Sequence, residues 1–324
     1  MRILITGGGG FLGQSVVHAL LARGGVASEP GGPAQLTDLV LFDQALPAQR
    51  LEDRRVAYVT GDLLDRELVD RTCARGLDAV FHLASVVSAG AEADFDLGMR
   101  VNVEGTRRLL EACRVQKAPP RILFASSVAA FGGELPETVV DTTAPMPQSS
   151  YGTQKVIGEL LINDYTRKGY VDGRTVRLPT IVVRPGKPNR AASGFMSSIL
   201  REPISGEPAV CPVLPEAQMW ILSPGGAVDA LIHAMELSGS RWGWNRTLNV
   251  PGITVSVAEA LSALARIAGA DARARVRFER DPAIEKIVLS WPVRFRTERA
   301  DRLGFRADSG IDDIIKAHLR TAGG

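Results

Sequence analysis

Short unbroken apolar runs alternate with longer segments that are apolar at every third or fourth position through the first half of the chain. The runs are RILIT (2–6), LVLFD (39–43), VAYVTGD (56–62), AVFHLAS (79–85) and RILFASS (121–127). Runs of about five apolar residues fit strands covered on both faces, as inside a parallel sheet. Between them FLGQSVVHALLARG (11–24), RELVDRTCARG (66–76) and VNVEGTRRLLEACRVQ (101–116) carry helical spacing, and so does YGTQKVIGELLINDY (151–165) further on. TVRLPTIVVRPG (175–186) reads as a sixth strand. This alternation predicts an α/β fold with a Rossmann-type, doubly wound parallel sheet.

The pattern breaks after Pro185. Residues 186–220 are rich in Pro, Gly and Ser and read as loops and short helices of a smaller lobe. RTLNVPG (246–252) suggests one more strand, VAEALSALARIAG (257–269) a helix, and IDDIIKAHLR (311–320) a closing helix. The expected organisation is a sheet domain over 1–185, with later segments around 223–250 returning to it. The smaller C-terminal lobe, 186–324, would bind substrate. Residues 24–38 read as a Gly/Pro-rich surface loop. No internal repeat is visible.

Composition narrows the function. The 324 residues are 45% hydrophobic and 23% charged, a soluble globular balance. With 38 basic and 36 acidic residues the net charge is +2, and no block of like charge suggests a nucleic-acid surface. The basic run from Arg294 to Arg302 is broken by Glu298 and Asp301 and reads as a solvated helix face. Cys73, Cys113 and Cys211 form no CxxC or zinc spacing, and the four histidines form no HExxH. A reduced, cytoplasmic chain without a metal is expected. MRILITG enters a strand at once, with no signal peptide expected. No apolar run approaches the roughly 20 residues a membrane helix needs.

TGGGGFLG (6–13) follows the first strand and opens the first helix. Gly7, Gly10 and Gly13 stand at GxxGxxG spacing, and Gly8, Gly10 and Gly13 also give GxGxxG. Such glycines let the backbone approach a pyrophosphate, which the helix N-terminus then holds. Phe11 and Leu12 fall inside the same turn. Asp43, closing the second strand, is placed to bind ribose hydroxyls and to repel a 2′-phosphate, which favours NAD over NADP. Tyr151 and Lys155 lie four apart on one helix face. A phenol beside an ammonium ionises more easily, so the pair suits a general base.

GGGGFLG, GDLLD, FHLAS, VNVEGT, FASSVAAFG and YGTQK occur in this order, and the chain resembles the extended short-chain dehydrogenase/reductase family, the NAD-dependent epimerases and dehydratases. The resemblance is strongest over about the first 185 residues. It implies that Asp62 and Leu63 face the adenine and that Leu83, Ala84 and Ser85 line the cofactor cleft. It implies that Asn102 supports the cofactor site from its helix and that Pro179 contacts the nicotinamide side. It makes Ser127, four before the FG, the catalytic hydroxyl in preference to Ser126. Tyr151 becomes the base, and Lys155 lowers its pKa and binds the nicotinamide ribose. A homodimer built by the VNVEGT and YGTQK helices is also implied, and Leu109, Leu110, Ile157, Leu160 and Leu161 form stripes that fit that interface or the core.

Departures narrow the substrate. Val128 and Ala129 stand where dehydratases of the family carry acids. RLPT, with Thr180, replaces an epimerase RYFN, and Gln218 falls near an arginine that clamps a sugar-nucleotide diphosphate. The stretch 125–195 and REPISGEPAVCPV (201–213) resemble the D-erythronate dehydrogenase branch. That resemblance implies NAD-dependent oxidation of the C2 hydroxyl of a four-carbon sugar acid. A small carboxylate needs a cation or several donors, and Arg184, Lys187, Arg190, Asn189 and Ser193 follow the sixth strand. A nucleotide-sugar epimerase and a non-catalytic dinucleotide sensor are the competing readings. The sensor is disfavoured because Ser127, Tyr151 and Lys155 are all present.

Overall fold

The computed structural model describes residues 1–29, 32–33, 35–47, 49–186 and 191–322. Its centre is a seven-stranded sheet. The first six strands are β1 (Arg2–Thr6), β2 (Asp38–Asp43), β3 (Val56–Thr60), β4 (Ala79–His82), β5 (Arg121–Ser127) and β6 (Asp172–Leu178). Further along come β7 (Thr180–Ile181), β8 (Ala209–Cys211), β9 (Gln218–Leu222), β10 (Thr247–Asn249), β11 (Ile253–Ser256) and β12 (Val276–Phe278). The order in the large sheet is β10-β6-β5-β4-β1-β2-β3, with every pairing parallel. The chain winds outward from β1 through β2 and β3, then returns to β4 and winds the other way. The β1–β4 boundary is therefore the switch point, where open α/β sheets bind ligands.

Alternate residues of each strand serve opposite layers, as the two-residue strand period requires. Ile3, Ile5, Leu39, Leu41, Phe81 and Leu123 join one core with helices α1 (Phe11–Arg23) and α6 (Pro224–Glu236). Leu4, Val40, Val80, Ile122 and Phe124 join the other, with α2 (Arg66–Cys73), α3 (Gly105–Arg114) and α4 (Ser150–Arg167). Cys73 and Cys113, distant in sequence, are both buried in this second layer, and all three cysteines are free. A third core gathers α5 (Gly194–Ile204), α7 (Val257–Ala268), α8 (Pro282–Val288) and α9 (Ile311–Ala322) with β9 and β12. No helix among the described residues is long and apolar enough to cross a membrane.

Three sequence expectations are corrected. TVRLPTIV is not one strand. Pro179 has no N–H to give to a ladder, so β6 ends at Leu178. Thr180 and Ile181 pair instead with β9, which pairs antiparallel with β11 in a separate three-stranded sheet. The chain thus leaves the large sheet at Pro179 and enters the second lobe. The run around Arg294–Arg302 is only partly solvated: the Arg299 guanidinium donates to the carbonyls of Thr247, Trp242 and Asn245, tying that segment to β10. Residues 24–38 are not all loop, since Ala27–Glu29 and Gly32–Pro33 form a short hairpin, and Val26 and Leu36 are buried in the first core.

Candidate active site

A cleft of about 440 Å³ opens at the carboxyl ends of β1, β2, β4 and β5. Gly7, Gly10 and Gly13 form one wall with Phe11 and Leu12 between them, at the start of α1. Gly10 N–H donates to the Gly7 carbonyl at 3.1 Å. A Cβ on Gly13 would sit 2.2 Å from that carbonyl oxygen, so the loop closes onto the helix only because the side chain is absent. The first N–H groups of α1 have no intrahelical acceptors and favour an anion. Asp43 also lines the cleft and accepts the Gly9 N–H at 2.9 Å, which orients its carboxylate toward the loop. Asp62 and Leu63 extend the same wall, and Leu83, Ala84 and Ser85 come from the turn after β4.

Asn102, expected to support the cofactor site from its helix, acts from behind the wall. It is 3% exposed and does not line the cleft. It lies one layer behind, on a π-helical turn (Met99–Glu104) that runs into α3. Its Oδ1 accepts from Val86 N–H (2.8 Å) and from the Ser85 hydroxyl (3.0 Å), and its Nδ2 donates to the Val86 carbonyl (3.0 Å) and Gln154 Oε1 (2.7 Å). The amide therefore fixes the segment that forms the wall. His82, beneath it, bridges Thr6 and Thr106 and is pushed down to about 3, chiefly by burial and then by the Lys155 charge, so it stays neutral.

The other wall holds the tyrosine. Ser149 accepts the Gly152 N–H and caps α4, which puts Tyr151 in the first turn. A Cβ on Gly152 would lie 2.1 Å from the Ala129 carbonyl oxygen, so this glycine brings the turn against the 128–130 segment. Tyr151 thereby lines the cleft together with Ser127 and Ser85, whose hydroxyls favour its ionised form. Ser127 Oγ also accepts from Ala129 N–H at 3.1 Å. Ser126 also lines the cleft, but its hydroxyl is engaged elsewhere: it donates to Glu159 at 2.5 Å, and Glu159 forms a buried ion pair with Arg177 at 2.6 Å.

The electrostatics differ from the simple Tyr/Lys expectation. Burial raises Tyr151 to about 12, against the pull of Ser127, Arg184 and Ser85. Lys155 is buried, donates to the Ala125 carbonyl at 2.9 Å, and is lowered to about 7 by desolvation, against the carboxylate of Glu159. Its ammonium lies 5.4 Å from the Tyr151 ring centroid. Arg184, which lines the same cleft, is a further cation that favours the phenolate, and the spacing of YGTQK does not reveal it.

Pro179, Thr180, Arg184 and Ser193 line the same cleft. The Arg184 guanidinium donates to Ser193 Oγ at 3.0 Å, and its backbone N–H donates to Ser197 Oγ. Lys187 and Asn189, with Arg190, lie outside the described residues. Gln218 does not line this cleft. Sequence reasoning missed Trp291, which lines the cleft from the turn after α8. Ser85 lines the cleft as expected, but FHLAS by itself marks only a strand end and does not show that its hydroxyl acts on Tyr151. No cluster of metal-ligating side chains occurs among the described residues.

The residues fit NAD. The glycine turn is a cradle that a Cβ would fill, and the carboxylates of Asp43 and Asp62 lie beyond it along one cleft with Tyr151 and Lys155. Residues 3–216 match the NAD dependent epimerase/dehydratase family. The chain is 52% identical to a D-erythronate dehydrogenase of Cupriavidus necator, over 100% of this chain and 99% of that protein. It is 46% identical to a D-erythronate dehydrogenase of Haemophilus influenzae, over 98% and 99%. A crystal structure described as a nucleoside-diphosphate-sugar epimerase from Agrobacterium tumefaciens superposes with a TM-score of 0.93 at 39% identity, covering 100% of this chain and 95% of that one. With the parallel sheet, the glycine turn and these matches together, the chain belongs to the NAD dependent epimerase/dehydratase family and is an NAD-dependent oxidoreductase.

Proposed function

We propose that the protein oxidises the C2 hydroxyl of a small sugar acid, with D-erythronate going to 2-keto-D-erythronate. The observation that carries this reading is that Tyr151, Ser127, Ser85 and Arg184 line the cleft that also holds the glycine turn. Two relatives named D-erythronate dehydrogenases, matched along their whole length, support the same substrate. Tyr151 accepts the proton of the substrate hydroxyl. Ser127 holds that oxygen within reach of the phenol, and Ser85 steadies the phenol from the other side. The glycine turn, Asp43, Asp62, Leu63, Leu83, Ala84 and Pro179 hold the cofactor, with Lys155 on its ribose. NAD, when bound, supplies the acceptor for the hydride that leaves the carbinol carbon.

Arg184 is assigned to the substrate carboxylate, with Ser193 fixing its guanidinium and Thr180 adding a hydroxyl on the same wall. Arginine pairs with carboxylates in a fixed two-pronged geometry. The test is NADH absorbance with NAD and a panel of four- to six-carbon aldonates. D-erythronate should give NADH, and Arg184→Met should raise its KM by about ten- to a hundredfold, as for a lost charge-assisted bond. An unchanged KM would remove Arg184 from this role. A nucleotide-sugar epimerase is the second reading, favoured by the description of the Agrobacterium protein and disfavoured by Thr180 and Gln218. It predicts tight NAD binding with no NADH released on any aldonate.

The cytoplasm remains the proposed location, on cysteine usage. A homodimer through α3 and α4 is also proposed. Leu109 and Leu110 face the sheet, whereas Leu160 is 65% exposed beside half-buried Ile157 and Leu161. Light scattering should give twice the chain mass, and Leu160→Glu should give the single mass. A monomeric wild type would remove the interface.

A further inference from the structure

A second concavity lies at the other end of the sheet. The cleft opens where β1 ends, whereas this groove opens where β1 begins, at Arg2, and before β4, at Asp78. It runs between α2 and α3, encloses about 1050 Å³, and is floored by Val69, Cys73, Leu77 and Ala112. Seven cationic side chains line it against three carboxylates. A concave surface of one sign concentrates counter-ions of the other.

The pairing within the groove leaves charge over. Arg66 reaches Asp70 and Arg114 reaches Glu111, so two of the three carboxylates are already engaged. The third, Asp78, accepts the backbone N–H of Arg2 at 2.7 Å. Arg75, Arg108 and Lys117 have no carboxylate within ion-pair distance among the described residues. A second observation is independent of the charge. Arg2 Nε, Arg108 Nε and Gln116 Nε2 are shut off from solvent and have no acceptor among the described residues, and all three belong to side chains lining this groove. Unmet buried donors are costly, so little holds these side chains back from turning into the groove to meet acceptor oxygens there.

We propose that the α2–α3 groove is a binding site for a small anion carrying two or more phosphoryl groups, separate from the cofactor cleft. One carboxylate would meet a single arginine. Three unpaired cations, one on α3 and one in each of the turns after α2 and α3, suit a multivalent anion with many oxygens. Orthophosphate should bind more weakly than tripolyphosphate, and added salt should weaken both.

Titration calorimetry of the whole protein with inorganic tripolyphosphate, at saturating NAD so that the glycine turn is occupied, tests the site. One saturable event per chain is expected. Arg75 and Lys117 are exposed, so the Arg75→Gln/Lys117→Met pair keeps the fold, and it should weaken binding by at least about tenfold while NAD affinity stays the same. Arg108→Met, a partly buried position, should weaken it in the same direction. Absence of a saturable event, or wild-type affinity in the double variant, overturns the proposal. A NAD affinity that falls in step with tripolyphosphate affinity would place the anion in the cofactor cleft and overturn it equally.

Discussion

Tyr151→Phe should lower kcat for aldonate oxidation by about 10³-fold, the middle of the range for losing a positioned acid–base group. NAD affinity should not change, because only the hydroxyl is removed and the ring that packs near Lys155 remains. The pH dependence separates this from a packing defect. Burial holds Tyr151 at about 12, so near neutrality the base form is scarce and grows about tenfold for each pH unit gained. Wild-type rates should therefore climb with pH through the neutral and mildly alkaline range. Lys155, lowered to about 7, loses its charge across that same range, so Arg184 is left as the cation favouring the phenolate. In the Phe variant the climb should vanish along with the rate. A variant that kept the wild-type slope at a uniformly lower rate would mean that another group is the base.

What was legible in the chain follows from local physics. The buried strands of a parallel sheet announce themselves as unbroken apolar runs, because both faces are covered. The glycine turn, Asp43 and the Tyr151/Lys155 pair are set by spacing within one turn or one helix, and the structure brings all of them to one cleft. What was not legible depends on partners far apart in sequence. Ser126 and Ser127 are adjacent and alike, yet Glu159, 33 residues from Ser126, takes up the hydroxyl of the first. Asn102 sits in a recognisable motif, but only the fold shows that its amide is spent on Val86, Ser85 and Gln154. Pro179 looked like a residue within a strand, and instead it moves the chain from one sheet to another. Trp291 has no motif at all. It reaches the cleft because the turn after α8 folds back over it.

Gly13→Ala should weaken NAD binding by about a hundredfold, which corresponds to the roughly 3 kcal/mol at the upper end for an overpacked site. The added methyl would stand 2.2 Å from the Gly7 oxygen and 2.8 Å from Gly8 Cα. Both are backbone atoms, so no side chain can swing aside. Relief requires the first turn of α1 to lift from the loop, which breaks the 3.1 Å bond between Gly10 N–H and the Gly7 carbonyl. The same movement turns the free N–H groups of α1 away from the place they share with Asp43. Stability should fall too, because Val16, Val17 and Leu20 carry α1 into the core. Calorimetry on the folded variant, with thermal melting beside it, separates the two effects. Gly225→Ala is the control: it lies in the first turn of α6, and its methyl would come no nearer to any atom than Ser223 Oγ at 3.9 Å. A folded Gly13→Ala protein with wild-type NAD affinity would show that the loop does not hold the pyrophosphate, and the cofactor would then have to be anchored chiefly along Asp43, Asp62 and Lys155.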